Sequence, residues 1–415
     1  MAASCRVKLN DLKMDSSSHG FPVTILEQIA AQLGCSPADQ KLALHLDEED
    51  ELKHLRECFH IPKVKDLPPT DSTLVNENES CIYFAGNSLG LQPKKVKAYL
   101  DEELDMWARR GVHGHFSGKH PWALGDECIV ELMADIVGAR KEEVALMNGL
   151  TVNLHLQMLS FFSPTPSRYK ILLEAKAFPS DHYAVESQLQ LHGLDVEKCM
   201  LMIQPRKGEE TLRIEDILDI IEKEGDSVAV ILLSGVQYYT GQLFDIPRIT
   251  KAGQEKGCYV GFDLAHAAGN IELHLHDWGV DFACWCSYKY LNSGAGGLAG
   301  AYIHEKHSQT IKPAFFFVLC FRLIGWWGHE FKTRFLMENK LQLSPGINGF
   351  RLSNPPILLV CALHASLECD MREPNALRVA PVPLYNSFHD VHRFIEILGS
   401  AITSAKQAAN NAATS

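Results

Sequence analysis

The chain has 415 residues, a formal net charge of −12, and 46% hydrophobic against 22% charged residues. This is ordinary globular usage in a chain long enough to bury a sizeable core, so a fibrous or largely disordered protein is excluded. The acidic balance, with no basic stripe, argues against a nucleic-acid partner and for a small molecule or a protein.

In chain order, residues 1–18 hold no apolar core of a secretory signal. Pro22 to Leu33 has helical periodicity, with Val23, Leu26, Ile29 and Leu33 on one side. His45 to Phe59 is acidic and Leu-rich, and Pro62 to Asn78 reads as an irregular connection. From Tyr83 the pattern changes to short apolar runs alternating with amphipathic stretches. Lys170 to Leu173 precedes Asp181 to Leu191. Val228 to Leu233 precedes Ile246 to Lys256. Cys258 to Phe262 precedes His274 to Trp278, and Phe282 to Cys286 follows. Buried runs separated by helical patterns predict parallel strands with crossover helices, the α/β class. The longest apolar run, Ala314 to Phe321, is too short to span a bilayer. The 12 cysteines include no C-x-x-C pair. Scattered thiols fit a reducing compartment, so a soluble cytoplasmic protein is expected.

In the α/β class, ligands bind beyond the carboxyl ends of the strands. Asp263 ends one apolar run, with His266 three residues on. Tyr288 and Lys289 follow the next. A strand-end aspartate can pair with a protonated pyridinium nitrogen, and a strand-end lysine can react with an aldehyde. Pyridoxal phosphate requires both groups. Taken singly, each residue reads as a helix cap or a surface lysine. The Gly-rich turn Asn292 to Gly297 allows close backbone approach but by itself is only a turn. Asn148 to Thr151 precede the helical stretch Val152 to Phe162, and there the backbone N–H groups of Leu150 and Thr151 and a hydroxyl suit a phosphate. An ordinary helix cap explains them too. Phe178, Pro179, Ser180 and Asp181 follow a predicted strand. There Phe178 can stack on a planar ring and Asp181 can accept hydrogen bonds. Ser234 ends another run.

Several of these segments together resemble kynureninase: Ile82 to Gly90, Arg168 to His192, Gly261 to Gly269, Trp285 to Gly297, Gly325 to Glu330 and Arg351 to Pro356. The resemblance implies the aspartate aminotransferase-like fold (fold type I). It also implies a cytosolic homodimer in tryptophan catabolism and NAD biosynthesis. The reaction implied is hydrolysis of L-kynurenine to anthranilate and alanine, and of 3-hydroxykynurenine to 3-hydroxyanthranilate and alanine. By position, Lys289 matches the family's attachment lysine and Asp263 the pyridine partner. Leu150, Thr151, Phe178 to Asp181, Ser234, His266 and Tyr288 match cofactor contacts. Trp326 and Asn354 match residues that complete that site near the dimer interface. Ser88, His115 and Asn354 match positions near the substrate's aromatic ring, and Arg378 matches the arginine that grips its carboxylate. Tyr288, beside the lysine, is the candidate proton donor or orienter, with a phosphate contact as the blander alternative. No metal is implied.

Three departures stand out. Met14 resembles the family's start, leaving residues 1–13 as an extension. Phe315 to Ile324 intervenes where the family runs almost directly from Ala314 to Gly325. After Glu368, only Cys369 to Pro374 replaces a long helix and most of a small domain. The expected division is therefore 1–75, an N-terminal helical segment; 76–345, a large cofactor domain; and 346–415, a shortened small domain. An alternative reading is an inactive chain that binds the cofactor or a full-length subunit without turnover. A cysteine desulfurase is disfavoured, because its nucleophile needs a mobile loop and Cys361 sits in an apolar run.

Overall fold

A computed structural model of the chain describes residues 22–68, 73, 75–308, 322–370 and 384–414. The chain divides into two compact units, Met1–Phe84 with Val379–Ser415, and Ala85–Arg378.

The larger unit is built on a seven-stranded sheet. Its strands are β1 (Val144–Leu146), β2 (Lys170–Glu174), β3 (Met200–Ile203), β4 (Val228–Ser234), β5 (Tyr259–Asp263), β6 (Phe282–Trp285) and β7 (Gly300–Ile303), in the order β1-β7-β6-β5-β4-β2-β3. β6, β5, β4, β2 and β3 run parallel, and β7 is antiparallel to both its neighbours. The α/β expectation therefore holds. β4 shows why: nearly every residue in it is buried, and the side chains split by the two-residue period of a strand. Ile231 and Leu233 pack with Ile129, Met133, Ile249 and Leu363, whereas Val230 and Leu232 pack with Leu154, Met158, Val185 and Leu189. Both faces are thus covered by helices, which is the condition that makes a strand apolar throughout.

The predicted runs became strands and helices with boundaries moved by one or two residues. The exception is His274 to Trp278, which forms a turn closed by Gly279 at φ +67°. Five residues offer too few hydrogen bonds to offset helix nucleation. Strands β1, β3 and β7 carried no clear sequence signal, being three or four residues long.

Two buried polar groups fasten the sheet. Arg351 meets Asp126 through two bonds of 2.7 and 2.9 Å, and Asp126 also accepts from the Leu146 N–H. Glu143, fully buried ahead of β1, accepts from the Arg140 and Glu305 N–H groups and faces His276 Nδ1 at 3.0 Å.

The smaller unit packs Ile29 and Ala30 of the helix Pro22–Leu33 against Leu42 and Leu46 of Gln40–Glu49. The long helix Phe388–Thr414 begins where Asp47 accepts from the Phe388 and His389 N–H groups, capping it. Arg56 and Asp390 form an ion pair at 2.6 Å. Among the described residues, no helix is long and apolar enough to cross a membrane.

Candidate active site

The carboxyl ends of β4, β5 and β6 are in register, Ser234 opposite Asp263 and Asp263 opposite Cys284. They form one wall of an open cleft of about 180 Å³. Leu150, Thr151, Phe178, Ser180, Asp181, Ser234, Asp263, His266, Tyr288 and Lys289 line it, all residues expected from the sequence. Ten positions spread over 140 residues of chain thus meet because each follows a strand or opens a helix on the same end of the sheet.

Asp263 is buried, and its Oδ1 accepts from the Ala265 N–H at 2.7 Å. Burial pushes its carboxyl above the ordinary range. Asp181, at the start of the helix Pro179–Leu191, is pushed well above that range by burial and then by the Asp263 charge. The two carboxyls face the same cleft, and burial favours the neutral form of each. Two such carboxyls suit a cationic ring placed against them.

Lys289 is only 9% exposed, and its Nζ stands 2.8 Å from His266 Nε2. Burial, then the Lys289 charge, depresses His266 to about 4, so its ring is neutral. With the amine donating to Nε2, the Nδ1–H is free to donate to the Tyr290 hydroxyl at 3.3 Å. The Lys289 Nζ also lies 5.8 Å from the ring centre of Phe178 and 6.0 Å from that of Tyr288. Phe178 is 46% exposed and edge-on to Tyr238. Burial pushes Tyr288 up to about 12, keeping it a phenol. The nearby thiols are inert: burial drives Cys286 to about 11 and Cys284 well above its usual value.

The helix Leu150–Phe161 opens onto the cleft after Asn148, which holds φ +51°, and Gly149. No side chain caps that end, and a Cβ at Gly149 would meet nothing within 4 Å. Its first N–H groups are available to an anion.

Five expected residues among those described do not line this cleft. Ser88, His115 and Asn354 are exposed. Trp326 is also exposed, with its indole N–H donating to the Arg334 carbonyl at 3.1 Å. His115 stands edge-on to Trp122. The segment bearing Ser88 does reach the site's backbone, because the Gly90 N–H donates to the Tyr288 carbonyl at 2.9 Å. Pro179 occupies the first turn of its helix without lining the cleft. Arg378 lies outside the described residues, as do residues 1–13 and 315–321. Of the apolar insertion, Leu323 and Ile324 are exposed.

Glu174, Val236, Tyr238 and Ala265 also line the cleft and were not anticipated. Glu174 was findable, since it ends the run Lys170 to Leu173 as Asp263 and Ser234 end theirs.

The family model for class-V aminotransferases matches residues 82–317, and that for the kynureninase C-terminal domain matches residues 360–398. The chain is 59% identical to kynureninase of Homo sapiens, over 95% of this chain and 99% of that one. It is 44% identical to kynureninase of Myxococcus xanthus, over 86% of this chain and 96% of that one. The alignment to the human protein runs to 470 positions, more than the residues available here, so some of its positions have no counterpart in this chain. Solved structures with the same fold include a cysteine desulfurase of Thermococcus onnurineus (TM-score 0.54, 20% identity, 69% of this chain and 66% of that one). Another is a cysteine desulfurase of Escherichia coli (TM-score 0.56, 15% identity, 77% and 71%). The likeness to these two is one of fold. Cys361 is buried within the helix Ile357–Asp370, and burial drives its thiol to about 12, unlike a loop nucleophile.

Proposed function

The chain belongs to the kynureninase family, and from that premise we propose that it hydrolyses L-kynurenine to anthranilate and L-alanine, and 3-hydroxy-L-kynurenine to 3-hydroxyanthranilate and L-alanine. The observation that carries this reading is the convergence of Lys289, Asp263 and an uncapped helix end on one cleft. These residues fit pyridoxal 5′-phosphate. A buried carboxyl pair suits a protonated ring, and open N–H groups suit a phosphate. The bound cofactor supplies an electron sink for carbanion chemistry at the substrate's Cα.

The chain's own residues do the rest. Lys289 holds the cofactor and moves protons at the substrate's Cα. Asp263 keeps the ring nitrogen protonated. Leu150 and Thr151 would hold the phosphate, and Phe178, Ser180, Asp181, Ser234 and His266 would line the place of the ring. Neutral His266 accepts from the Lys289 amine and so orients it. Tyr288, retained as a phenol, would donate its proton to Cβ as the Cβ–Cγ bond of the hydrated γ-carbonyl breaks, and would regain one from the hydroxyl that becomes part of the product carboxyl. Arg378 binds the substrate carboxylate through a two-pronged guanidinium contact.

The protein works as a cytoplasmic homodimer. Ser88, His115, Trp326 and Asn354, exposed in one chain, are accessible to a second copy. Anthranilate fluorescence on addition of L-kynurenine to the cofactor-loaded chain tests the activity, and sedimentation tests the dimer. Visible absorption of bound cofactor without any product would overturn the catalytic reading.

A further inference from the structure

Glu174 ends β2, is 3% exposed and lines the cleft. Its two oxygens take both donors of one neighbour: Oε2 accepts from the Ser234 N–H at 3.1 Å, and Oε1 accepts from the Ser234 hydroxyl. Among the described residues, no Lys, Arg or His pairs with it. Burial raises its carboxyl pKa, the two Ser234 hydrogen bonds pull it back, and the charge of Asp263 on β5 adds a smaller push upward. Asp181 also feels its charge, and Lys289, His266 and Tyr288 share the same cleft. An acid buried without a cation is costly, and holding a loop together does not need one, since an amide or a packed apolar side chain would serve. A buried acid with no cationic partner among the described residues, lining a cleft, is instead a mark of function.

We propose that Glu174 is a positioning residue that fixes the direction of the Ser234 hydroxyl. With both Ser234 donors held by the carboxylate, that hydroxyl turns only lone pairs to the cleft. Ser234 then accepts a hydrogen bond from the bound cofactor and donates none to it. The donors that pyridoxal phosphate carries near its ring are the ring N–H and the 3-hydroxyl. Glu174 thereby biases the protonation of the ring system through Ser234, alongside the direct effect of Asp263. This inference rests on the cofactor reading above.

The substitution Glu174→Gln keeps the volume but places an NH₂ beside Ser234, which turns the hydroxyl hydrogen toward the cleft. In the cofactor-loaded chain, the pH midpoint of the cofactor's visible absorption should then move by a pH unit or more, and the cofactor Kd should rise tenfold or more. Ser234→Ala should also move the midpoint. The double variant should behave as Ser234→Ala alone, because Glu174 acts through Ser234. A wild-type midpoint and Kd in folded Glu174→Gln overturns the proposal, as does simple addition of the two effects. Should Glu174→Gln not fold, an unmoved midpoint in folded Ser234→Ala overturns it equally. Absence of visible absorption in the wild-type chain would instead overturn the cofactor reading itself.

Discussion

At the scale of single residues, the cleft gathers groups whose ordinary charge states are disfavoured there. Asp181, Asp263 and Glu174 are each pushed toward the neutral acid, and His266 toward the neutral imidazole. Lys289 stands among them within reach of His266. Removing that amine by Lys289→Ala should abolish the visible absorption of bound cofactor and lower anthranilate release by roughly a thousandfold or more, read by spectrophotometry and fluorescence. A persisting band would mean that another amine holds the cofactor. Asp263→Asn separates stability from activity. The folded carboxyl lies above its unfolded value of about 3.9, so its contribution to stability is full below that pH and is lost as pH rises through the raised value. In the cofactor-free chain, Asp263→Asn should therefore be the more stable protein at pH 8, by about 1 kcal/mol. That advantage should shrink at pH 5, as measured by urea unfolding, while turnover of the loaded variant collapses.

At the scale of elements, the site is held by strand ends, so strand packing sets its precision. Gly261 lies two residues before Asp263 in β5, and a Cβ there would come within 2.2 Å of the Phe282 ring. That ring is stacked on Phe161 with centroids 4.6 Å apart, which leaves it little room to move. Gly261→Ala should cost about 1–3 kcal/mol through overpacking. Because the displaced strand carries Asp263, cofactor retention should weaken as well. A variant that unfolds at the wild-type urea midpoint would show that β5 and β6 can separate without strain.

At the scale of the whole molecule, one ion pair joins segments 225 positions apart in the larger unit. Arg351 and Asp126 are both nearly inaccessible to water, and the same carboxylate accepts from the Leu146 N–H at the end of β1. Asp126→Ala strands a buried guanidinium, with an expected loss of about 3–5 kcal/mol in chemical denaturation. Replacement of the pair together by apolar residues of similar volume should cost much less than the single change. Equal losses would show that the Arg351 charge finds water once its partner is gone.

By itself, the sequence determined the α/β class, the strands β2, β4, β5 and β6, and the pairing of Asp263 with Lys289. The reason is local: a continuous apolar run states that both faces of a strand are covered, and the residue after it must lie at the strand's carboxyl end. Only the tertiary structure decided which strand ends are neighbours. It set Ser234 beside Asp263, brought Asp181 onto Asp263, and turned Glu174 from the last residue of an apolar run into a buried acid holding Ser234. It likewise left Ser88, His115, Trp326 and Asn354 on the surface, away from the cleft of their own chain. Strand order and helix docking join residues by distance in space, and no spacing along the chain encodes that distance.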